Sequence, residues 1–304
     1  MDCRAIFRME HLHVKHEIRY GKAEVSFYRT QAAPLMGVAA IPESSFTGRD
    51  NTIFAGAATI DVFGDNFLPA YTEGDNSMVV ATDTMKNFVY ATALEFDGAT
   101  HEQFADHLAC RFLETYPQMQ RLRVTIKELP FAGHSDKLLS PRGDDHGWVR
   151  VERDGTALRS LQSGRRNLRL VKLTGSSFAS FVRDDYTTLP ERQDRPLYIW
   201  LDVLWRYADP ADATGGDLGR YVAPEQVADL VRAVFDRFVS MSIQHLVHEM
   251  GMAMLDRWPQ LDEVSFEAQN RLWDTSATSE RDPRLKVYSN PKPAQGLIGL
   301  TLHR

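Results

Sequence analysis

Polar and apolar positions trade places along "HLHVKHEIRYGKAEVSFYRT", residues 11–30, the period of antiparallel strands. A mixed, glycine-rich region follows from Pro42 to Asp75, with short apolar runs such as "TIDVFG". "SMVVA" (Ser77–Ala81) is apolar and β-leaning. It predicts a strand running straight into a helix, because Met85, Phe88 and Val89 recur at helical spacing as far as about Glu95. "THEQFADHLACRF" predicts a second helix, in which Thr100 and Gln103 form a capping box and Phe104, Leu108 and Phe112 share one face. "RLRVTIKEL" then alternates as a strand.

The second half repeats this plan. "LRLVKLTGSSFASF" and "PLYIWLDVLWRY" predict strands, "APEQVADLVRAVFDRFVSMSIQHLVHEMGMAMLDRW" a long helical stretch, and "LDEVSFEAQ" a closing strand. Pro224 and Glu225 suit a helix's first turn. "YPQMQRLRV" (Tyr116–Val124) and "WPQLDEVSF" (Trp258–Phe266) share an aromatic-Pro-Gln start and apolar residues at three common offsets, 142 residues apart (258 − 116). Thr82 advanced by the same interval falls on Pro224, where the second helical region begins. Such self-similarity predicts a duplicated unit; an aromatic-Pro helix stop is the plainer alternative. The polar, Gly/Pro-punctuated "HSDKLLSPRGDDHGW" predicts the boundary, giving units 1–145 and 146–304. The expected class is α+β: two antiparallel sheets, each with helices on one face, whose open edges call for oligomerisation.

Composition narrows the function classes. Over 304 residues, 43% hydrophobic and 25% charged residues suit a soluble globular protein. A net charge of −6 argues against a nucleic-acid binder. No apolar run approaches the ~20 residues that span a bilayer, and the first residues lack a secretory pattern. Cys3 and Cys110 are too few for a disulfide framework or a cysteine zinc site. A cytoplasmic protein is expected, binding neither membrane nor nucleic acid.

Two histidine pairs stand out, His245 with His248 and His11 with His13. Neither has a third ligand or His-Glu-x-x-His spacing, so no metal site is expected. Thr82-Asp83-Thr84 sets two hydroxyls and a carboxylate where a helix begins, which suits a cap and equally an anion site.

"YGK" (Tyr20–Lys22), "ATDTMKN" (Ala81–Asn87), "LVKLTGSSFASFVRDDYTTLPERQDR" (Leu170–Arg195) and "SIQ" (Ser242–Gln244) follow in order over most of the chain. Together they closely resemble the cofactor-independent urate oxidases of bacterial type. The resemblance implies two tandem T-fold units, and four chains in a tunnel-shaped homotetramer with active sites at subunit interfaces. It implies a bacterial cytoplasmic enzyme of purine degradation. That enzyme would convert urate, dioxygen and water to 5-hydroxyisourate and hydrogen peroxide without metal or organic cofactor. The alternative is a T-fold purine- or pterin-binding protein with little or no oxidase activity.

The resemblance also assigns residues. Arg195 would clamp one edge of urate bidentately, although an unselected arginine would more simply pair with Asp194 or Asp185. Gln244, read as a mid-helix residue, would pair with the far edge, with Ile243 beside it, and Phe178 would stack on the ring. Dioxygen is a triplet, so urate must be made electron-rich by losing a second proton. Lys22 is the candidate base, a role for which burial tunes a lysine. Thr82 would carry the proton, and Asp83 would offer its backbone N–H while its carboxylate caps the helix. Asn270, with Gln269 competing, would face oxygen and water. The family's following relay histidine is missing: Arg271 and Leu272 stand there, and Arg271 cannot act as a base. Water, His245 or the partner subunit is left to fill the role.

Overall fold

The structure is a computed structural model describing residues 15–135, 137–290 and 294–304. Cys3, His11 and His13 lie outside them. Among the described residues eight strands form one antiparallel sheet in sequence order: β1 (Arg19–Thr30), β2 (Ile53–Phe63), β3 (Arg121–Glu128), β4 (His146–Asp154), β5 (Ala157–Lys172), β6 (Leu197–Tyr207), β7 (Leu261–Asn270) and β8 (Gly296–His303). Helices α1 (Thr82–Glu95) and α2 (His101–Thr115) lie between β2 and β3. Helices α3 (Pro224–Arg237) and α4 (Ile243–Arg257) lie between β6 and β7.

The fold is α+β and repeats internally, as the sequence predicts. Both helix pairs keep the 142-residue interval (224 − 82; 243 − 101). The strand ends Thr30 and Lys172, and Glu128 and Asn270, keep it too. Instead of a separate main sheet for each half, the eight-stranded sheet spans both, because β4 and β5 pair across a tight turn at Gly155, with Trp148 opposite Gly164. The predicted boundary stretch holds the second strand of a short hairpin, Leu139–Pro141 paired with Phe131–Gly133, and the start of β4.

Alternation decides which face the helices cover. Ile60, Val124 and Val151 are fully buried, and their register neighbours Asp61, Arg123 and Glu152 point to the opposite face. Phe104, Leu108 and Phe112 of α2 are wholly buried, each worth about 1.5–3 kcal/mol of transfer free energy. Thr100 and Gln103 make both halves of the predicted capping box.

Two predicted elements differ. Ser77–Ala81 is a turn and an extended approach, not a strand; its Val80 N–H donates to the Tyr20 hydroxyl (3.1 Å). The long second helix breaks at Phe238–Ser242, and Ser242 caps α4 by accepting from the His245 N–H (3.0 Å). Gln244 therefore lies in a helix's first turn.

Candidate active site

Lys22 sits on β1, an edge of the sheet, immediately before a bulge that ends at Val25 and carries Glu24 at φ 55. Gly21 is required here, since a Cβ on it would lie 1.8 Å from the Ile60 carbonyl oxygen. In the single chain Lys22 is half-buried, less than its expected role demands. Thr82 opens α1, is exposed, and its hydroxyl makes no hydrogen bond among the described residues. Asp83 follows in the first turn, but its carboxylate does not cap. It accepts from Lys86 Nζ (2.5 Å) and Asn87 Nδ2 (3.2 Å), and Ala81 stands at the cap position. The Lys86 hydrogen bond, then the Lys86 charge, and in smaller part the Lys22 charge hold the Asp83 carboxyl below its ordinary range. Lys22, Thr82 and Asp83 thus form one cluster, and the first-turn N–H groups of α1 remain uncapped by side chains.

The second cluster is built on the β5–β6 loop and the start of α4. The Phe178 N–H donates to Arg192 O (2.8 Å) and the ring stacks on Phe181 at 4.9 Å. The Arg195 N–H donates to Ser176 O (2.9 Å), which swings its guanidinium to 5.4 Å over the Phe178 ring. The plainer partner, Asp194, is engaged elsewhere: it accepts from Thr174 Oγ1 (2.5 Å) and the Gly175 N–H (2.7 Å). Burial pushes the Arg195 guanidinium below its ordinary pKa, and its Nε is buried without an acceptor. A parallel bridge between Ser176 and Ser240 brings this loop to the α3–α4 break, two residues before Ser242. Ile243 is buried and Gln244 exposed beside it.

Asn270 ends β7 opposite Ile199 of β6. A tight turn joins α4 to β7, so the α4 start lies toward the β7 end. Alternation separates the two oxygen-site candidates. Gln269 faces the helix-free side, where its Oε1 accepts from Arg271 Nε and Nη2 (3.1 and 2.6 Å). Asn270 faces the helices with a buried, unpartnered Oδ1. Arg271 lies over Trp200 at 4.1 Å. His245 accepts the Met241 N–H (3.4 Å) and meets Phe238 edge-on at 5.2 Å.

The two clusters do not meet within one chain. Lys22 and Asn270 are six strand spacings apart, roughly 29 Å along the sheet at about 4.8 Å each. The internal repeat gives these residues counterparts that do come together within the chain. By the 142-residue interval Thr82, Asp83, Gln244 and Asn270 correspond to Pro224, Glu225, Glu102 and Glu128. These counterparts converge at the seam between the halves. There Arg49 Nη1 donates to Glu128 Oε1 (2.8 Å) and Glu225 Oε1 (2.9 Å), and Glu102 accepts from Ser163 and Tyr221 hydroxyls (2.8 and 3.0 Å).

A family model described as "Uricase" matches residues 18–156 and again 161–299. The chain belongs to the uricase family. It is 44% identical to a uricase of Haloferax volcanii, covering 94% of this chain and 98% of that one. It is 41% identical to a uric acid degradation bifunctional protein of Bacillus subtilis, with 96% of this chain spanning 62% of that one. It also resembles the crystal structure of urate oxidase from Bacillus sp. TB-90, with a TM-score of 0.90 and 37% identity over 94% of this chain and all of that chain.

Asp194 as loop anchor, Lys172 and the Ser176–Ser240 pair order the candidate site; the first two and Ser176 lie in the family-like stretch Leu170–Arg195 without a role of their own there, and Ser240 lies outside it. The α4 cap is recoverable from the sequence, because Ser242 ends the helix-poor run "FVSMS" and precedes a fresh apolar repeat.

Proposed function

We propose that this uricase-family chain oxidises urate with dioxygen and water to 5-hydroxyisourate and hydrogen peroxide, as a cytoplasmic factor-independent urate hydroxylase. The observation that carries the reading is Arg195: a half-buried cation over an aromatic ring, with no carboxylate of its own among the described residues. A planar oxopurine monoanion fits that combination. Its ring lies on Phe178, its carbonyl and adjacent nitrogen meet the guanidinium fork, and Gln244 reads the opposite edge with Ile243 beneath.

The site is completed by a second copy. The seam inside the chain sets the Pro224–Glu225 helix start against Glu102 and Glu128. A second copy's Thr82–Asp83 helix start, with its Lys22, takes the matching place against Gln244 and Asn270. Strand β1 of one copy then lies against β8 of the other, and both open edges close. Two such rings give the tunnel-shaped homotetramer, each chain being two tandem T-fold units.

Closure also dries Lys22, which the lone chain leaves half-open. Lys22 accepts a proton from bound urate through the Thr82 hydroxyl, and the α1 N–H groups, Asp83 among them, steady the anion. The electron-rich dianion passes an electron to dioxygen beside Asn270. The pair combines at C5, Lys22 returns its proton to the peroxide, and water displaces hydrogen peroxide from C5. Asn270 Oδ1 is a free acceptor for that water. With Leu272 at the relay position and His245 held by its own helix start, ordered water closes the relay. No metal or organic cofactor takes part.

The test is loss of urate absorbance, with equimolar peroxide, by chelator-treated protein. Activity that the chelator abolishes removes the cofactor-free chemistry. Binding without consumption leaves a T-fold purine-binding protein.

A further inference from the structure

Lys172, the last residue of β5, points into the end of α3 rather than into solvent. Its Nζ donates to Phe235 O (2.9 Å), Asp236 O (3.2 Å) and Phe238 O (2.7 Å), which uses all three ammonium protons. Two of these carbonyls belong to the last turn of α3, where the helix has no partners for them and its dipole favours a cation. The third lies in the α3–α4 break, four residues before the Ser242 cap. The loop beyond Lys172 folds back over it: Gly175 adopts φ 79, and a Cβ there would stand 3.1 Å from Lys172 Cε. The Ser240 N–H then donates to Gly175 O (3.2 Å), the Ser177 N–H to Ser240 O (2.8 Å), and the buried Ser240 hydroxyl to that of Ser176 (3.1 Å).

We propose that Lys172 is a positioning residue that sets the spacing between the two jaws of the oxopurine clamp. One jaw is Phe178 with Arg195, carried by the loop after Lys172. The other is Gln244, carried by the helix that starts after the break Lys172 holds. Among the described residues the ammonium bonds the end of α3 to the strand that feeds the loop, so it fixes one jaw against the other. The internal repeat supplies a comparison. The residue 142 positions earlier, at the end of β1, is Thr30. The half of the chain without Phe178 and Arg195 has no lysine there.

This inference rests on the reading of Phe178, Arg195 and Gln244 as the urate site. Contacts of the clamp to the purine edges are made equally in bound substrate and transition state, so loosening the jaws weakens uniform binding. For Lys172→Met the expected result is a KM for urate raised about tenfold, with kcat within about threefold of wild type. Affinity for xanthine, a planar oxopurine used as a non-turnover probe, should fall by the same factor. Lys172→Arg, which keeps charge and donors, should recover most of both. A purely structural lysine would lower the folded fraction, and hence apparent kcat, and leave KM unmoved. Lys172→Gln is read the same way if Lys172→Met gives no cooperative thermal transition. Unchanged KM and xanthine affinity in a folded variant, with wild type turning over urate, overturns the positioning role alone. Wild type that neither binds nor consumes urate removes the functional reading and this inference with it.

Discussion

Arg195 holds its guanidinium carbon 5.4 Å from the centre of the Phe178 ring, although a carboxylate, Asp194, is its neighbour in sequence. Asp194 is withdrawn by Thr174, Gly175 and Ser176, all of which donate to it. The proposed clamp uses the cation that this leaves without Asp194. Arg195→Gln should raise the KM for urate by about a hundredfold, the loss of two charge-assisted hydrogen bonds at about 1.5 kcal/mol each. Arg195→Lys should recover little, because a point charge cannot make the planar fork. Steady-state kinetics with wild-type-like thermal midpoints would check this; a full rescue by lysine would argue against bidentate recognition.

Lys22 and Thr82 are read as moving a proton, not as holding urate. Lys22→Met should therefore lose about 10²–10⁴-fold in turnover while anaerobic urate affinity stays within about threefold. Thr82→Val should fall in the same direction by less, since water can bridge part of the gap. Oxygen consumption and equilibrium dialysis separate the two quantities. Wild-type turnover in Lys22→Met would take the base away from this residue.

Most of this fold is legible in the chain because its signals are local. Alternation in "RLRVTIKEL" and the Thr100–Gln103 box need no distant partner, and both stand in the structure. The interval linking Thr82 to Pro224 is likewise a property of the sequence. The misreadings arise where tertiary contacts override local preference. Ser77–Ala81 is apolar enough for a strand, yet β1 already has β2 on one side and the tyrosine hydroxyl of Tyr20 takes the Val80 N–H. The break at Phe238–Ser242 is held by Lys172 from a strand some 65 residues away (238 − 172 = 66). The candidate site residues are marked in the sequence by the family resemblance alone. Their separation into two clusters on distant strands is a fact of topology that no single motif encodes.

The seam between the halves contains a second testable feature, Glu102. Burial pushes its carboxyl up to about 7, against the hydrogen bonds from Ser163 and Tyr221, which favour the charged form. A carboxyl whose folded pKa lies above its unfolded value of 4.5 contributes stability that is complete below about pH 4.5. That contribution is lost as pH rises through about 7, and in full it amounts to ~3 kcal/mol. His101, pushed down to about 4 by burial, works oppositely: its contribution is complete above about 6.5 and lost as pH falls through about 4. Comparing wild type with Glu102→Gln cancels the histidine. Between pH 5 and 8 the thermal midpoint of wild type should fall by several degrees relative to the variant at equal protein concentration. Parallel curves would show that Glu102 does not titrate there.

The separation of Lys22 from Asn270 across six strand spacings makes the shared site directly testable by mixing. At urate concentrations near the wild-type KM, Lys22→Met and Arg195→Gln chains should each be nearly inactive alone. If each site takes Lys22 from one copy and Arg195 from the other, a mixed pair has one doubly damaged site and one intact site. Random reassortment makes half of all pairs mixed, so co-refolded or co-expressed chains should regain about a quarter of wild-type activity. The regained activity should follow a binomial dependence on the mixing ratio, with its maximum at equal amounts. A site contained within one chain would regain nothing at any ratio, because every copy would carry one of the two lesions. The same arrangement predicts that activity falls steeply on dilution to concentrations at which light scattering reports single chains, since Lys22 then returns to an open strand edge.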